Sequence, residues 1–462
     1  MRITGISIAP IYPNKIIGGS QKILMDLFSG LSKRDHQLNI LSTRTNEISS
    51  KFYFDNVLVD PVLNFRGIFP STHQIPPYKL LSNLEEIQNQ SDKSDVIYLH
   101  ADTLYLRPNL NSSKVIRSFH DYFYEESILS SLLLSSNKTV VPSNYLKNCI
   151  ETNVLMSGLK NLEQVSCIPN GVFSNKTIKG SKFIINLKNK SKEDLFVLFP
   201  HRPTPEKGLI NAIEITKKLQ QKLSNRRVKL LVPFYSNESV FDESNFEINV
   251  IKKIIKEYDA ANIILLHDWL NVDQMSSYLS IGDVVISPGK FIESFGLIPL
   301  ESIYNMTPVV CYKVGALRDL SDIPGIFQVK FNEIDIFVDS ILEAINIDES
   351  ILIQGKKYIE SNYSITNMVH KYEELFLSIN DKKNMKFIIQ NKLTLSPWSY
   401  IENGSIFNDY TSTFYTYPKL FKHFFSIGKS IINTDEILSK DLLYEIDLAK
   451  RDGCITNLIG SY

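Results

Sequence analysis

The stretch DVVISPGKFIESFGLIPLES, residues 283–302, has the pattern of a buried strand that turns directly into a helix. Its first part contains the apolar run VVIS, which is typical of a strand covered on both faces of a sheet. Because proline is tolerated in the first turn of a helix, Pro299 predicts that the helix begins near Leu297. A strand followed by a helix is the repeating unit of a parallel α/β sheet.

Two carboxylates flank this turn, with Glu293 before the helix and Glu301 on its second turn. At 1.5 Å per helical residue, their separation corresponds to roughly 12 Å. The backbone amides between them would lie at the positive end of the helix, where a diphosphate binds well; they belong to Ser294, Phe295, Gly296 and Leu297. We therefore predict that the two acids hold the two ends of one elongated ligand. The alternative, two solvated helix acids, explains neither the glycine nor the apolar run FGLIPL.

The rest of the chain repeats the same unit. Continuous apolar runs in the first half are ITGISIAP, LNILST, DVIYLH, KVIRSF, KTVVPS and VSCIPNG, and in the second half LFVLFPHR, VKLLVPF, NIILLHDW, DVVISPG and PVVCYKV. Helix-compatible segments alternate with these runs, which predicts two doubly wound parallel-sheet domains. The Lys- and Asn-rich segment 174–194 is interpreted as the linker between them.

The C-terminal extension, residues 381–462, departs from this pattern. It is crowded with aromatic residues, contains the turn signal Asn403-Gly404, and includes the amphipathic stretch ILSKDLLYEIDLAKRDG. Such a segment is too apolar to be disordered. We expect it to pack on the main body as an added element, and the alternative is a surface for a partner or an acceptor.

Composition excludes several classes of protein. The 462 residues are 43% hydrophobic and 22% charged, with no net formal charge, as in soluble globular proteins and unlike dedicated nucleic-acid binders. The apolar run at the start is too short for a signal peptide, and no run is long enough to span a membrane. The scattered cysteines predict reduced thiols in the cytoplasm, and neither Cys nor His shows metal-ligand spacing.

Three further strand-to-helix loops carry candidate ligand-binding residues, because ligands of such sheets bind at the carboxyl ends of the strands. In PIYPNKIIGGSQ, Gly18 and Gly19 precede a helix for which we predict Ser20 as the N-cap. The glycines would let an anion approach the backbone, and the alternative is a turn that only needs positive φ.

In the second loop, RSFHDYFYEES, His120 directly follows a strand. It could orient a hydroxyl or accept a proton, and the alternative is a helix cap or a buried structural histidine. Asp121 is its orienting partner or an N-cap.

In the third loop, FPHRPTPEKGL, two prolines stiffen a segment that carries Arg202 and Lys207. A planar guanidinium and a compact ammonium together suit a diphosphate, and the alternative is a solvated basic loop.

Together these motifs resemble the retaining GT-B glycosyltransferases of glycosyltransferase family 4. ESFGLIPLE is similar to the family's E-x7-E motif, and HRPTPEKGL to its Arg-to-Lys phosphate loop. GGSQKILMDLFSGL, VVPSNYLK, IPNGV and MTPVVCYKVGALRDL resemble other landmarks in the same order, from residue 3 to about 380. The resemblance implies two Rossmann-like domains that face a cleft. It places an N-terminal acceptor domain at 1–173, a C-terminal nucleotide-sugar domain at 195–365, and a helix crossing back at 366–380.

The resemblance also implies roles for the candidate residues. Glu293 would hold hydroxyls of a donor sugar and Glu301 those of the ribose, while Arg202 and Lys207 neutralise the departing diphosphate. His120 would lie beside the sugar and the acceptor. Gly18 and Gly19 would leave room for the donor phosphate or the acceptor. The chain has no Asp-x-Asp motif, which fits a donor site without a metal or any other cofactor.

The predicted function is transfer of a sugar from a nucleotide-diphosphate sugar, with a UDP-sugar expected, to an acceptor hydroxyl. The resemblance implies that the anomeric configuration of the sugar is retained. The acceptor class stays open among a glycan, a lipid-linked sugar, a small molecule and a protein. The alternatives are a sugar-nucleotide hydrolase or epimerase, and a non-catalytic GT-B binding protein.

The basic stretch 215–229 suggests at most peripheral membrane contact, with a solvated face preferred. An oligomer could form through the C-terminal extension. Pro233, His267 and Asp268 stand where the family often has other residues. The identity of the nucleotide base in the donor therefore stays open.

Overall fold

A computed structural model describes the fold of residues 1–13, 16, 18–67, 71–108, 110, 115–159, 163–172, 184, 187, 191–234, 248–379, 387–425, 428, 430–433 and 439–461. The chain forms two compact units. The first comprises Met1–Pro13, Leu24–Pro169 and Val369–Tyr462, and the second comprises Asn14–Ile23 and Asn170–Met368. These limits differ from the predicted ones, since 14–23 belongs to the second unit and the C-terminal extension to the first. The predicted linker 174–194 lies mostly outside the described residues.

Within the described residues, the first unit contains an eight-stranded sheet. Its strands are β1 (Arg2–Ser7), β2 (Gln37–Thr43), β3 (Phe52–Phe54), β4 (Val57–Leu63), β5 (Val96–Leu99), β6 (Val115–Ser118), β7 (Lys138–Val141) and β8 (Val165–Cys167). Their order is β3-β4-β2-β1-β5-β6-β7-β8, and all neighbours are parallel except the antiparallel pair β3 and β4. The predicted apolar runs all form strands, whereas β3 and β4 were not predicted.

Helices of the first unit follow these strands. They are α1 (Gly19–Leu31), whose first turn belongs to the second unit, α2 (Pro77–Ser91), α3 (Glu125–Leu133) and α4 (Asn144–Ser157). The apolar residues of α1 between Leu24 and Leu31 recur at helical spacing and are buried. Because α1 already begins at Gly19, the prediction of Ser20 as its N-cap is wrong, and Ser20 lies inside the helix.

In the described part of the second unit, a six-stranded parallel sheet has the order β11-β10-β9-β12-β13-β14. Its strands are β9 (Asp194–Leu198), β10 (Arg227–Phe234), β11 (Ile264–Asp268), β12 (Val284–Ser287), β13 (Val309–Tyr312) and β14 (Ile326–Val329). The predicted runs form the first five, and β14 was not predicted. Because β9 and β12 are parallel neighbours, the loops that follow them open at the same edge of the sheet.

The second unit's helices are α5 (Leu209–Lys222), α6 (Ile248–Glu257), α7 (Val272–Leu279), α8 (Leu297–Tyr304), α9 (Ile334–Ala344), α10 (Glu349–Asn362) and the first residues of α11 (Ile365–Leu377). The basic stretch 215–229 lies partly on α5. Its Lys218 pairs with Asp335 of α9 at 2.6 Å, and Lys222 pairs with Asp339 of the same helix. These exposed pairs support a solvated face. Among the described residues, no helix has both the length and the apolar character needed to cross a bilayer.

The C-terminal extension is an antiparallel add-on to the first unit. Its strands are β15 (Phe387–Leu395), β16 (Ser399–Glu402), β17 (Ser405–Asn408), β18 (Thr413–Tyr415), β19 (Ile431–Asn433) and β20 (Ile455–Ser461), with α12 (Pro418–His423) and α13 (Lys440–Arg451). Asn403 and Gly404 join β16 to β17 and both have positive φ, so the predicted turn is confirmed. The amphipathic stretch forms α13, as predicted.

This extension has its own apolar core and is tied to the body of the first unit. The core includes Leu393, Ile406, Leu420, Ile432 and Ile446. At the junction, the Tyr145 hydroxyl donates to the buried Asp409 carboxylate at 2.9 Å. The Tyr410 hydroxyl donates to the Tyr122 carbonyl at 3.0 Å. These contacts support the expectation that the extension packs on the main body.

His267 at the end of β11 is a core residue whose protonation opposes folding. Its ring nitrogens lie 3.1 Å from the Tyr278 hydroxyl and 2.9 Å from the Asp268 carbonyl oxygen. Burial lowers the pKa of His267 to about 4. The unfolded chain therefore binds a proton at this residue more readily than the folded protein does. Its contribution to stability is complete above pH 6.5 and is lost as pH falls towards 4.

We predict that His267→Gln makes the free energy of unfolding less sensitive to acid. Glutamine keeps hydrogen-bonding groups but does not titrate, so the slope between pH 6 and pH 5 should decrease by about 1.2 kcal/mol per pH unit. Urea unfolding of both proteins at several pH values measures this slope. Between pH 7.5 and pH 8.5 the two slopes should agree, and an unchanged slope below pH 6 would contradict the prediction.

Candidate functional site

Two loops of the second unit touch through their backbones at the carboxyl ends of β9 and β12. Gly208 has a φ of +88°, and a Cβ there would lie 2.4 Å from the Pro288 carbonyl oxygen. A Cβ on Gly289 would lie 2.6 Å from the Glu206 carbonyl oxygen. The Phe291 amide donates to that same carbonyl at 2.9 Å. Only residues without a side chain allow this approach, so the two glycines set the distance between the loops.

The approach of the loops brings Lys207 onto Glu293. The Lys207 ammonium lies 2.5 Å from Glu293 Oε1 and 3.7 Å from the centre of the Phe291 ring. The two charged side chains keep 21% and 25% of their surface exposed. An anion and an aromatic face thus hold the cation in place, while both charges remain accessible to a ligand.

The turn after β13 holds the backbone of Glu293. Gly315 has a φ of +59°, and a Cβ there would lie 2.4 Å from the Glu293 carbonyl oxygen. The Ala316 amide donates to this oxygen at 2.7 Å. The backbone position from which the Glu293 side chain extends is therefore held by this turn. The pair lies within the stretch MTPVVCYKVGALRDL, for which no role was predicted.

The start of α8 at Leu297 confirms the predicted boundary. Gly296 is its N-cap with a φ of +94°, and a Cβ there would lie 2.9 Å from side-chain atoms of Leu317 and Leu320. The Phe295 side chain is buried and packs edge-on against Tyr363. Phe295 could therefore offer a ligand only its backbone amide, which is the role predicted for residues 294–297.

Glu301 lies on the second turn of α8, as predicted, and it is ion-paired. The Lys22 ammonium lies 3.5 Å from Glu301 Oε1, and the two side chains are only 12% and 14% exposed. The alternative of two solvated helix acids is therefore wrong for both residues, because Glu293 and Glu301 each face a lysine. Lys22 was not predicted as a site residue, because nothing in its local pattern points to a contact with α8.

The predicted glycine loop adjoins the same site. A Cβ on Gly19 would lie 2.7 Å from Leu297 Cδ1, and one on Gly18 would lie 3.6 Å from Arg202 Nη2. Arg202 itself is exposed to solvent. The second unit thus brings together all the predicted site residues except His120, and it adds Lys22 and Phe291.

A neutral histidine lies beneath these charges. His201 is buried, and its Nε2 lies 2.8 Å from the Ser287 hydroxyl. Burial, with a contribution from the nearby Lys207 ammonium, lowers the pKa of His201 to about 4. The residue is therefore uncharged near pH 7, and the cationic character of the site comes from Arg202 and the lysines.

His120 belongs to the first unit and follows β6. Its ring centre lies 4.5 Å from that of His100, which follows the neighbouring strand β5. Burial, together with His100, lowers the pKa of His120 well below its usual range. A neutral imidazole can hydrogen-bond to a hydroxyl but is a weak proton acceptor. His100 directly follows β5, whereas His120 is the second residue after β6, and His100 was not predicted as a site residue.

Asp121 is anchored to the residues that begin α3. It accepts a hydrogen bond from the Ser127 hydroxyl at 2.9 Å, and backbone hydrogen bonds from Phe123 and Tyr124 partly offset the burial that raises its pKa. The N-cap of α3 is Tyr124, so the interpretation of Asp121 as an N-cap is wrong. In the ranges that the structure describes, no group of three or more His, Cys, Asp or Glu side chains could hold a metal ion. Metal independence stays a prediction.

Residues 181–360 match the family model described as Glycosyl transferases group 1. The matched range covers most of the second unit, including both loops of the site and α8. The chain is 25% identical over 322 residues to a lipopolysaccharide 1,2-N-acetylglucosaminetransferase of Salmonella typhimurium, a match that covers 66% of this chain and 78% of that protein. It is 22% identical over 388 residues to an uncharacterized glycosyltransferase of Methanocaldococcus jannaschii, covering 77% and 93%.

Solved structures share the fold at lower identity. Sucrose-phosphate synthase from Thermosynechococcus elongatus superposes with a TM-score of 0.65 at 14% identity, over 82% of this chain and 98% of that one. Alr3699/HepE from Anabaena, in complex with UDP-glucose, gives a TM-score of 0.60 at 15% identity, over 82% and 100%. The predicted fold class is confirmed, an α/β fold with parallel sheets whose structural neighbours are GT-B glycosyltransferases. Residues 181–360 are thus similar to glycosyl transferases group 1, and the fold is that of the GT-B class.

Proposed function

We propose that this protein is a glycosyltransferase that moves a sugar from a nucleotide-diphosphate sugar, expected to be a UDP-sugar, to an acceptor hydroxyl. The observation that carries the proposal is the Lys207–Glu293 pair, which two touching loops hold at the carboxyl ends of β9 and β12. This edge is where open α/β sheets bind their ligands.

Charge stabilisation is the central chemical task of such a site. When the glycosidic bond to phosphate breaks, negative charge accumulates on the departing diphosphate. Arg202 and Lys207 come from one stiff loop, and they supply a planar guanidinium and a compact ammonium for that charge. Because Lys207 is already held by the Phe291 ring, little reorganisation is needed as the bond breaks.

The two acids bind the neutral parts of the donor. Glu293 starts from a backbone fixed by Gly315 and Ala316, and its carboxylate accepts hydrogen bonds from hydroxyls of the sugar. Glu301 accepts hydrogen bonds from the ribose hydroxyls. Between them, the amides at the start of α8 face the diphosphate at the positive end of the helix.

His120 serves as a hydrogen-bonding group for the sugar or the acceptor, not as the general base. Its lowered pKa makes it a poor proton acceptor near neutral pH. In a retaining reaction on the front face, the departing phosphate accepts the proton of the acceptor hydroxyl. Retention of the anomeric configuration rests on the resemblance alone.

The named relatives support this choice of reaction. The Salmonella protein is a lipopolysaccharide 1,2-N-acetylglucosaminetransferase, and the Anabaena structure contains UDP-glucose. A UDP-sugar donor and a glycan or lipid-linked acceptor are therefore the first candidates to assay. Neither name fixes the sugar that this chain transfers.

We expect the purified protein to release nucleotide from a UDP-sugar mainly when an acceptor is present. A panel of UDP- and GDP-sugars, incubated with and without cell extract, measures this release. Release that requires the extract indicates transfer, whereas equal release without it indicates a hydrolase. A lack of turnover and of nucleotide binding across the panel would favour a non-catalytic protein and would contradict the proposal.

Arg202→Ala or Lys207→Ala should each reduce turnover on the order of 10²-fold, since each removes one donor to the developing charge. Arg227→Ala and Lys218→Ala are matched controls, because Arg227 and Lys218 form ion pairs with Asp194 and Asp335 elsewhere in the same unit. Both controls should keep wild-type turnover. Normal turnover in a folded variant lacking both Arg202 and Lys207 would contradict the diphosphate role.

Gly315→Ala should reduce turnover on the order of 10²-fold, because the new methyl group must displace the Glu293 backbone, and small misplacements of binding groups have effects of this size. The matched control is Gly158→Ala. Gly158 also has positive φ, but a Cβ there has no atom within 4 Å. Both variants should lose about 1–2 kcal/mol of unfolding free energy from the backbone conformation. Equal turnover of the two folded variants would show that the position of Glu293 does not depend on Gly315.

A further inference from the structure

Lys22 pairs with one of the two proposed donor-binding acids. It lies on the first turn of α1, in the segment 14–23 that belongs to the second unit. Its ammonium is 3.5 Å from Glu301 Oε1, and both side chains are largely buried. It stands in the stretch GGSQKILMDLFSGL, where its local pattern is that of an ordinary helix lysine and no role was predicted for it.

The contact between the two helix starts determines which residues meet. Gly19 lies against Leu297, where a Cβ would be 2.7 Å from Leu297 Cδ1. Lys22 follows Gly19 by three residues on α1, and Glu301 follows Leu297 by four residues on α8. Residues three or four positions along a helix lie on the same face. The close approach at Gly19 therefore places Lys22 opposite Glu301, one turn further along each helix.

The chemistry of this pair suits recognition of a ribose. A carboxylate is an acceptor-only group that can bind the two adjacent hydroxyls of a ribose. A largely buried carboxylate is unfavourable unless its charge is compensated, and an ammonium close to one oxygen compensates it. A lysine at this distance also restricts the rotamers of the glutamate.

We propose that Lys22 is a positioning residue that makes the donor site select ribonucleotides, by orienting Glu301 and compensating its charge. The inference rests on the proposed function, in which Glu301 binds the ribose. Lys22 itself need not contact the nucleotide. Substitution of Lys22 should therefore weaken the part of the nucleotide affinity that depends on the 2′- and 3′-hydroxyls of the ribose. The part that depends on the base and the phosphates should be unchanged.

The test compares the binding of UDP with that of 2′,3′-dideoxy-UDP by isothermal titration calorimetry. If a ribose hydroxyl donates a hydrogen bond to the Glu301 carboxylate, the wild type should bind UDP at least about 10-fold more tightly than 2′,3′-dideoxy-UDP. Lys22→Met should reduce this preference to about 3-fold or less, and Lys22→Arg should restore most of it. A purely structural defect would weaken both ligands equally and leave their ratio unchanged.

Two further variants separate this inference from the proposed function. Glu301→Gln should abolish the preference, and a preference that survives in this variant would contradict the ribose role of Glu301 itself. If Glu301→Gln loses the preference while Lys22→Met keeps it in full, the Lys22 inference alone is overturned. Lys218→Met is the matched control, because Lys218 is ion-paired on α5 away from α8, and it should keep the wild-type ratio.

Thermal unfolding checks that each variant is folded, and Lys22→Gln replaces Lys22→Met if the latter does not fold. If the wild type binds GDP and not UDP, the same comparison uses GDP and its dideoxy form. If it binds neither nucleotide, both the inference and the proposed function are contradicted.

Discussion

The close packing of two backbone segments, at Gly208 and Gly289, is the constraint on which the site depends. β9 and β12 are parallel neighbours, so their following loops leave the sheet side by side. Parallel strands alone would leave room for side chains between such loops. The two glycines remove that room, and the Phe291 amide binds the Glu206 carbonyl across the junction. Lys207 and Glu293 lie on opposite sides of this junction, and their side chains form an ion pair across it.

The same device occurs at the other contacts of the site. Gly315 lets the turn after β13 reach the backbone of Glu293, and Gly19 lets the start of α1 reach the start of α8. In each case a glycine allows two main-chain segments to approach closely. A charged residue near that contact is thereby positioned to form an ion pair with a residue of the other segment or of a third one. Rigid backbone contacts of this kind hold flexible lysine and glutamate side chains within a few ångströms of one another, which local propensity could not do.

Much of the fold follows from the sequence because buried parallel strands are continuous apolar runs. VVIS and VVCY read as strands and form β12 and β13, and the Asn403-Gly404 turn follows from its need for two positive φ values. β3, β4 and β14 were missed. β4 alternates buried and half-buried residues, which is not the pattern of a central parallel strand. For the candidate site, the sequence predicted which loops lie at the carboxyl ends of the strands and which charged residues they carry. Lys22, Phe291 and His100 were missed because their contacts join segments that no local pattern relates.

The arrangement of charges also bears on how a ligand could enter. Each acid of the site faces a lysine, so neither carboxylate depends on a ligand to compensate its charge. A diphosphate that approaches Lys207 would then replace Glu293 as the partner of the ammonium, while sugar hydroxyls replace the ammonium as partners of Glu293. Binding in this form exchanges partners between side chains that are already ion-paired and positioned. The ordering of these side chains, one of the unfavourable parts of binding, is therefore largely complete in the folded protein before the ligand arrives.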